Sequence, residues 1–223
     1  MRFWPQVLEF ARRDLIAERR AGEVAAIVVP FGAVALMTLP LALGVDSAVI
    51  SRIGPAMFWV VSLLFAMQIA LRHSAADRPE HRAMLSLLGI DPFARLLGRS
   101  VSSALLIGIF MAAMFPMMIL FYSPDLPDGW PAALLPTALA AAGLAMVGTL
   151  AAEVTAGLRS RTTLASLIVA PLAIPLLVGG SQALESLDKN GSILPWTLLV
   201  TAADLALAVT GALIARPLEE AAR

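Results

Sequence analysis

The sequence has 223 residues, of which 59% are hydrophobic and only 14% charged, and it contains no cysteine. Soluble domains carry about 25% charged residues, so this composition indicates a polytopic membrane protein whose solvent is mostly lipid. The net charge of zero gives no reason to expect a nucleic-acid partner. The lack of cysteine excludes disulfide bonds, cysteine-ligated metal sites and thiol catalysis.

Residues 1–23 are predicted to form an amphipathic helix that lies on the membrane surface, with a solvated tail as the alternative. Apolar side chains recur there at helical spacing, and basic side chains that suit anionic headgroups lie among them. These residues are Phe3, Trp4, Val7, Leu8, Ala11 and Leu15, and Arg2, Arg12, Arg13, Arg19 and Arg20. Because the first apolar run begins only at Val24, we expect no cleavable signal peptide.

Six apolar blocks follow, at about 24–44, 53–71, 101–121, 131–156, 162–181 and 196–214. Each supplies about the 20 residues that a helix needs to cross roughly 30 Å of hydrocarbon. All six are predicted to be helices, because an open strand in lipid would leave backbone polar groups unsatisfied. The fold class is therefore all-α, with one transmembrane domain over residues 1–223.

The distribution of positive charge predicts the orientation of the six spans. If the N-terminus is inside, every Lys and Arg residue except Arg52 and Lys189 falls on the inner side. The positive-inside rule then places both termini in the cytoplasm. Trp130 and Trp196, where the fourth and sixth spans begin at the outer face, agree with this orientation.

Residues 72–99 form the one long charged segment between two apolar blocks. The stretch 83–89 is apolar and helical in pattern but too short to span a membrane. Asp91 and Pro92 then predict a turn, with Asp91 as the N-cap of a helix that leads back into the membrane. The amphipathic stretch would lie on lipid or fit a groove of a partner, and its periodicity favours neither.

Signatures of catalysis and of nucleotide binding are missing from the sequence. There is no G-x-S-x-G, no H-E-x-x-H and no P-loop. An intramembrane enzyme is therefore disfavoured, and ATP would have to bind another chain. The two histidines, His73 and His81, belong to the charged segment, so a polar loop surface is favoured over heme or metal ligation.

Two carboxylates fall within the apolar blocks. Asp204 lies about midway along the sixth block, where a charge costs about 2.5–3.5 kcal/mol on insertion scales and is a functional candidate by default. A function or a polar contact between helices is one interpretation, and a protonated or partly hydrated Asp204 in a tilted helix is the alternative. Glu153 lies near the inner end of the fourth block, where Arg159 and Arg161 favour an interfacial ion pair.

Three prolines interrupt apolar blocks: Pro116 in the third, and Pro171 and Pro175 in the fifth. Each removes a backbone donor and is predicted to bend or break its helix. A hinge or cavity wall and a static kink remain equally open. With Asp204 they motivate a second hypothesis, an ATP-independent secondary transporter that uses Asp204 as its ion- or proton-coupled site.

The arrangement of a basic interfacial helix, six spans and a short inner helix between spans 2 and 3 resembles that of type-2 ABC transporter permeases. Within these it resembles the CcmB family of cytochrome c maturation permeases. Four stretches carry the resemblance: FWPQVLEFARRDL at 3–15, RIGPAMFWVVSLLFAM at 52–67, MLSLLGIDPFARLLGR at 84–99 and VTAGLRSRTTLASLIVAPLAIPLL at 154–177.

This resemblance implies a non-catalytic permease subunit in the bacterial inner membrane, paired with a separate ABC ATPase subunit that binds ATP. The implied partners are a heme-handling membrane protein, a periplasmic heme chaperone and a second permease copy. Residues 72–99 would be the cytoplasmic coupling segment, and the side chains implied in ATPase contact are Asp77, Arg78, Glu80, His81, Arg82, Leu85, Leu87, Leu88 and Asp91. The complex would handle heme, but no histidine lies within a predicted span, so we expect no heme ligand in this chain.

Overall fold

The computed structural model describes residues 3–43, 47–75, 90–127, 129–155, 161–189 and 191–221. Within these ranges the chain is helical and contains no strand. The helices are α1 (Phe3–Ala21), α2 (Val29–Leu43), α3 (Ser47–Ala75), α4 (Pro92–Tyr122), α5 (Leu134–Val154), α6 (Arg161–Asp188) and α7 (Leu194–Ala221). A π-helical turn, Val24–Val28, leads into α2, and a 3-10 turn, Trp130–Ala133, leads into α5.

Among the described residues, six helical stretches are long and apolar enough to cross a membrane, which confirms the predicted all-α polytopic architecture. They are Val24–Ala42, Val49–Leu71, Pro92–Tyr122, Trp130–Val154, Leu167–Asp188 and Leu194–Ala215. The third stretch differs most from its predicted bounds, because its helix begins at Pro92 and includes Arg95 and Arg99. At 31 residues α4 is about 46 Å long, which exceeds the hydrocarbon thickness.

The start of α4 is set by local chemistry. Asp91 has an extended backbone (φ −70°, ψ 122°), and its side chain accepts a hydrogen bond from the backbone N–H of Phe93 at 3.0 Å. Pro92 occupies the first helical position, where its missing N–H costs nothing. The predicted N-cap at Asp91 is therefore confirmed.

The prolines do not interrupt their helices. α6 is continuous through Pro171 and Pro175, and α4 is continuous through Pro116, so the predicted break is absent. Membrane helices tolerate proline where a neighbour satisfies the freed carbonyl group. A hinge role for these three prolines remains a prediction.

A fourth proline shows how such a carbonyl group is satisfied in this bundle. Pro40 lies inside α2 and has no N–H to donate to the carbonyl oxygen of Leu36, four residues earlier. The Tyr122 hydroxyl at the end of α4 donates to that oxygen at 2.8 Å. A side chain from a neighbouring helix thus replaces the missing backbone donor.

α5 lies at the centre of the bundle and is the most deeply buried of the six spans. It packs against α3, α4, α6 and α7. Small residues permit these close contacts: a Cβ atom at Gly148 would collide with Ala70 of α3, and one at Gly143 would collide with Leu176 of α6.

Candidate functional site

Three buried charged residues join the first turns of α4 to the last turn of α5. Arg99 Nη1 donates to Glu153 Oε1 at 3.0 Å, and Arg95 Nη2 lies 3.7 Å from Glu153 Oε2. The exposed fractions are 7% for Arg95, 5% for Arg99 and 9% for Glu153. Removing one partner of such a buried pair leaves an uncompensated charge, so the Arg95–Arg99–Glu153 cluster ties α4 to α5.

A pair of hydroxyl groups extends this polar contact. Ser100 Oγ and Thr149 Oγ1 lie 2.6 Å apart between α4 and α5. Each hydroxyl is also within hydrogen-bond distance of a carbonyl of its own helix, Leu96 O for Ser100 and Met146 O for Thr149. The contact between these two helices is therefore polar and specific at one end of the bundle.

The first half of α1 is attached to the beginning of α4. The rings of Phe3 and Phe93 stack with centroids 5.8 Å apart. Gln6 Oε1 accepts a hydrogen bond from the backbone N–H of Asp91 at 3.1 Å. α1 therefore contacts the residue that caps α4.

Further along, α1 and α4 approach so closely that no side chain fits between them. A Cβ atom at Gly98 would lie 2.7 Å from both the Val7 carbonyl oxygen and the Phe10 Cβ atom. Beyond this crossing, Ser102 Oγ donates to Asp14 Oδ2 at 3.4 Å. Because residue numbers rise together along both helices, α1 runs parallel to the first three turns of α4.

Part of the apolar stripe of α1 is exposed. Val7 and Ala11 are buried against the bundle, whereas Trp4 and Leu8 are 67% and 65% exposed. The helix predicted over residues 1–23 is thus present as α1, and its single apolar stripe is buried along one edge and exposed along the other. Its position on the membrane surface remains a prediction.

Most of the side chains assigned to ATPase contact lie outside the described residues. These are Asp77, Arg78, Glu80, His81, Arg82, Leu85, Leu87 and Leu88. The side chain of His73 is not described either. Of the predicted coupling residues, the structure describes Asp91 alone, at the contact between α1 and α4.

Glu153 forms ion pairs with two arginines that were not predicted as its partners, and its predicted pairing with Arg159 and Arg161 remains a prediction. Arg159 and the side chain of Arg161 lie outside the described residues, and the observed partners are Arg95 and Arg99. Both belong to the charged segment of residues 72–99. The available signal was their spacing of four residues, which places two basic side chains on one face of a helix.

Asp204 lies where α5, α6 and α7 meet. A Cβ atom at Gly143 of α5 would collide with Asp204 Oδ1 and with both δ-methyl groups of Leu176. Asp204 Oδ1 is buried and has no hydrogen-bond partner among the described residues. The intramembrane acid thus occupies a close helix crossing without a polar contact at this oxygen.

An aromatic cleft of about 50 Å³ lies at the end of the bundle opposite the charged cluster. Phe58, Trp59, Phe115 and Trp130 are among its lining residues, and the rings of Phe115 and Trp130 stack at 5.2 Å. Its lining is almost entirely apolar, so the cleft suits an apolar group rather than an ion.

Fold and charged cluster together define a multi-pass α-helical membrane protein with a polar, ion-paired end. A family model described as "CcmB protein" matches residues 5–219, and the chain therefore belongs to the CcmB family. This confirms the resemblance that the four sequence stretches indicated.

Several relatives carry the name "Heme exporter protein B". The one from Pseudomonas aeruginosa is 32% identical over 219 residues, which cover 95% of each chain. The one from Haemophilus influenzae is 32% identical over 189 residues, covering 82% of this chain and 83% of the relative. The one from Paracoccus denitrificans is 30% identical over 200 residues, covering 88% and 89%.

Proposed function

We propose that this chain is the non-catalytic membrane permease subunit of an ABC-type complex that acts in cytochrome c maturation. The observation that carries the proposal is the family match over residues 5–219, supported by relatives named for heme export. ATP hydrolysis belongs to a separate ATPase subunit. The complex handles heme, and the hydrolysis drives release of the heme-loaded periplasmic chaperone, with no heme or ATP bound directly by this chain.

In this proposal, residues 72–99 receive the movement of the ATPase subunit at the cytoplasmic face. Two sets of contacts support a transmission role for the start of α4. Arg95 and Arg99 hold α5 through Glu153, and Gly98 lies against α1. Because both contacts are buried, a displacement of the first turns of α4 is passed to α1 and α5 together.

The remaining parts of the proposal concern location and assembly. The charge asymmetry supports a multi-pass protein of the bacterial inner membrane with both termini in the cytoplasm. A heme-handling membrane protein, a periplasmic heme chaperone and a second permease copy complete the proposed complex.

The direct test is reconstitution of the chain with its ATPase subunit in lipid nanodiscs. Changing Leu85, Leu87 and Leu88 together to serine removes the proposed apolar docking ridge. We expect loss of co-purification and of the stimulation of ATP hydrolysis by the membrane subunit. Wild-type assembly and stimulation in this variant would contradict docking at the ridge.

A second variant neutralises the polar edge of the same segment, with Arg78, Glu80 and Arg82 all changed to glutamine. Its matched control changes Glu185 and Lys189, an exposed ion pair at the other end of the bundle, to glutamine. We expect weakened assembly in the first variant and wild-type assembly in the control. Transport by the chain without any ATPase, abolished by Asp204→Asn, would instead support the secondary transporter.

A further inference from the structure

Asp204 has three properties that the helix contacts described above do not require. It lies near the middle of the 22-residue span Leu194–Ala215. Its Oδ1 atom is buried without a hydrogen-bond partner among the described residues. That same oxygen occupies the space that a side chain at Gly143 would fill. The carboxyl group therefore fits at the crossing of α5 and α7 because residue 143 is glycine.

The antiparallel packing of α6 and α7 determines which turn of α6 lies beside Asp204. A Cβ atom at Gly179 would collide with Val200. Leu176 lies one turn before Gly179 in α6, and Asp204 lies one turn after Val200 in α7. Both side chains lie against Gly143. Asp204 therefore lies at the level of the α6 turn that contains Pro175.

This turn of α6 carries a backbone acceptor that lacks its helical donor. Pro175 has no N–H, so it cannot donate to the carbonyl oxygen of Pro171. In α2 the equivalent carbonyl oxygen, freed by Pro40, receives the hydroxyl proton of Tyr122. A carboxyl group that carries a proton is a hydroxyl donor of the same kind, and Asp204 lies beside α6.

Charged groups on the helices packed against α7 are distant from Asp204. On α5, Glu153 lies ten residues from Gly143, about 15 Å along the helix axis. On α6, Glu185 lies nine residues beyond Leu176. On α4, the first turns approach α7 near Gly211, about 10 Å along α7 from Asp204. The charged residues of these elements are Arg95 and Arg99 of α4, Glu153 of α5, Arg161, Glu185 and Asp188 of α6, and Arg216, Glu219 and Glu220 of α7 itself.

None of the charged side chains that the structure describes can therefore pair with an ionised Asp204. We propose that Asp204 is a proton-binding site at the junction of α5, α6 and α7. The carboxyl group holds its proton while Oδ1 lies against Gly143 in apolar surroundings, and it loses the proton only when the junction opens. This inference does not depend on the ABC-type function, since it concerns the isolated chain.

Dicyclohexylcarbodiimide is a suitable probe, because it dissolves in lipid and reacts with carboxylic acids that carry a proton. The full chain in nanodiscs would be labelled from mildly acidic to alkaline pH, and the modified peptide identified by mass spectrometry. We expect labelling of Asp204 at neutral pH that falls as the pH rises. Asp204→Asn should reduce it to background, whereas Glu185→Gln, which alters an exposed acid, should leave it unchanged.

Two glycine variants test the geometry without removing the acid. Gly143→Ala puts a methyl group where Oδ1 lies, and we expect it to shift the pH at which labelling falls. Gly108→Ala is the matched control, because a Cβ atom there meets nothing within 4 Å. If Asp204 is labelled at neutral pH no more than the background seen with Asp204→Asn, the proposal is overturned. Identical pH profiles for Gly143→Ala and wild type would overturn the assignment of the site to this junction.

Discussion

Replacing Glu153 with glutamine should strongly destabilise the bundle while barely changing its shape. The substitution removes a carboxylate whose oxygens lie 3.7 Å from Arg95 and 3.0 Å from Arg99. At an effective dielectric constant of about 20, unit charges at these separations attract by about 4–6 kcal/mol each, and desolvation offsets part of this. Removing one partner of a buried pair costs about 3–5 kcal/mol, which is the expected loss in the free energy of unfolding.

Reversible unfolding in mixed detergent and SDS micelles would measure this loss. Glu185→Gln is the matched control, because its Lys189 partner is exposed and surface pairs contribute about 0.2–1 kcal/mol. In a double-mutant cycle with Glu153→Gln, Arg99→Gln should show the larger coupling energy and Arg95→Gln the smaller, following the two distances. Equal losses for Glu153→Gln and Glu185→Gln would refute the reasoning that burial makes this cluster important.

Two further substitutions test close contacts between helices. Gly98→Ala should loosen α1 and expose it to limited proteolysis, because the added Cβ atom would press on Phe10 and on the backbone of α1. Gly108→Ala is the control, because it has open space around it. Equal cleavage of the two variants would disprove the tight crossing. Tyr122→Phe should cost about 1–3 kcal/mol in SDS unfolding, because the Leu36 carbonyl oxygen loses its donor, and an unchanged unfolding free energy would show that another donor replaces it.

The six spans were predictable because hydropathy and length alone determine which segments can cross a bilayer. The burial of Arg95 and Arg99 in the first turns of the third span was not predictable, because charged side chains are seldom buried unless they are paired. A count of charged residues does not reveal that Glu153, 54 residues from Arg99, pairs with the arginines and takes the place of their solvation. The same limitation hid the role of Gly98, because close approach depends on the partner helix.

The cap at Asp91 was predictable because an N-cap is a local arrangement of adjacent residues. For Asp204 the sequence indicated a position near the middle of the membrane and left its surroundings open. Its neighbours Gly143 and Leu176 lie on two other helices, and only the assembled bundle brings them together. A bend or break was predicted at Pro171 and Pro175; the helix is continuous through both, and a bend remains a prediction.

The hydrogen bond between Gln6 and Asp91 spans 85 residues of sequence, which has a consequence for biosynthesis. Ribosomes add about 5–20 residues per second, so roughly 4–17 seconds separate the synthesis of Gln6 from that of Asp91. During that interval the face of α1 that contains Val7 and Ala11 has no partner. Nascent α1 therefore depends on the bilayer, or on a chaperone, until two complete spans have been synthesised.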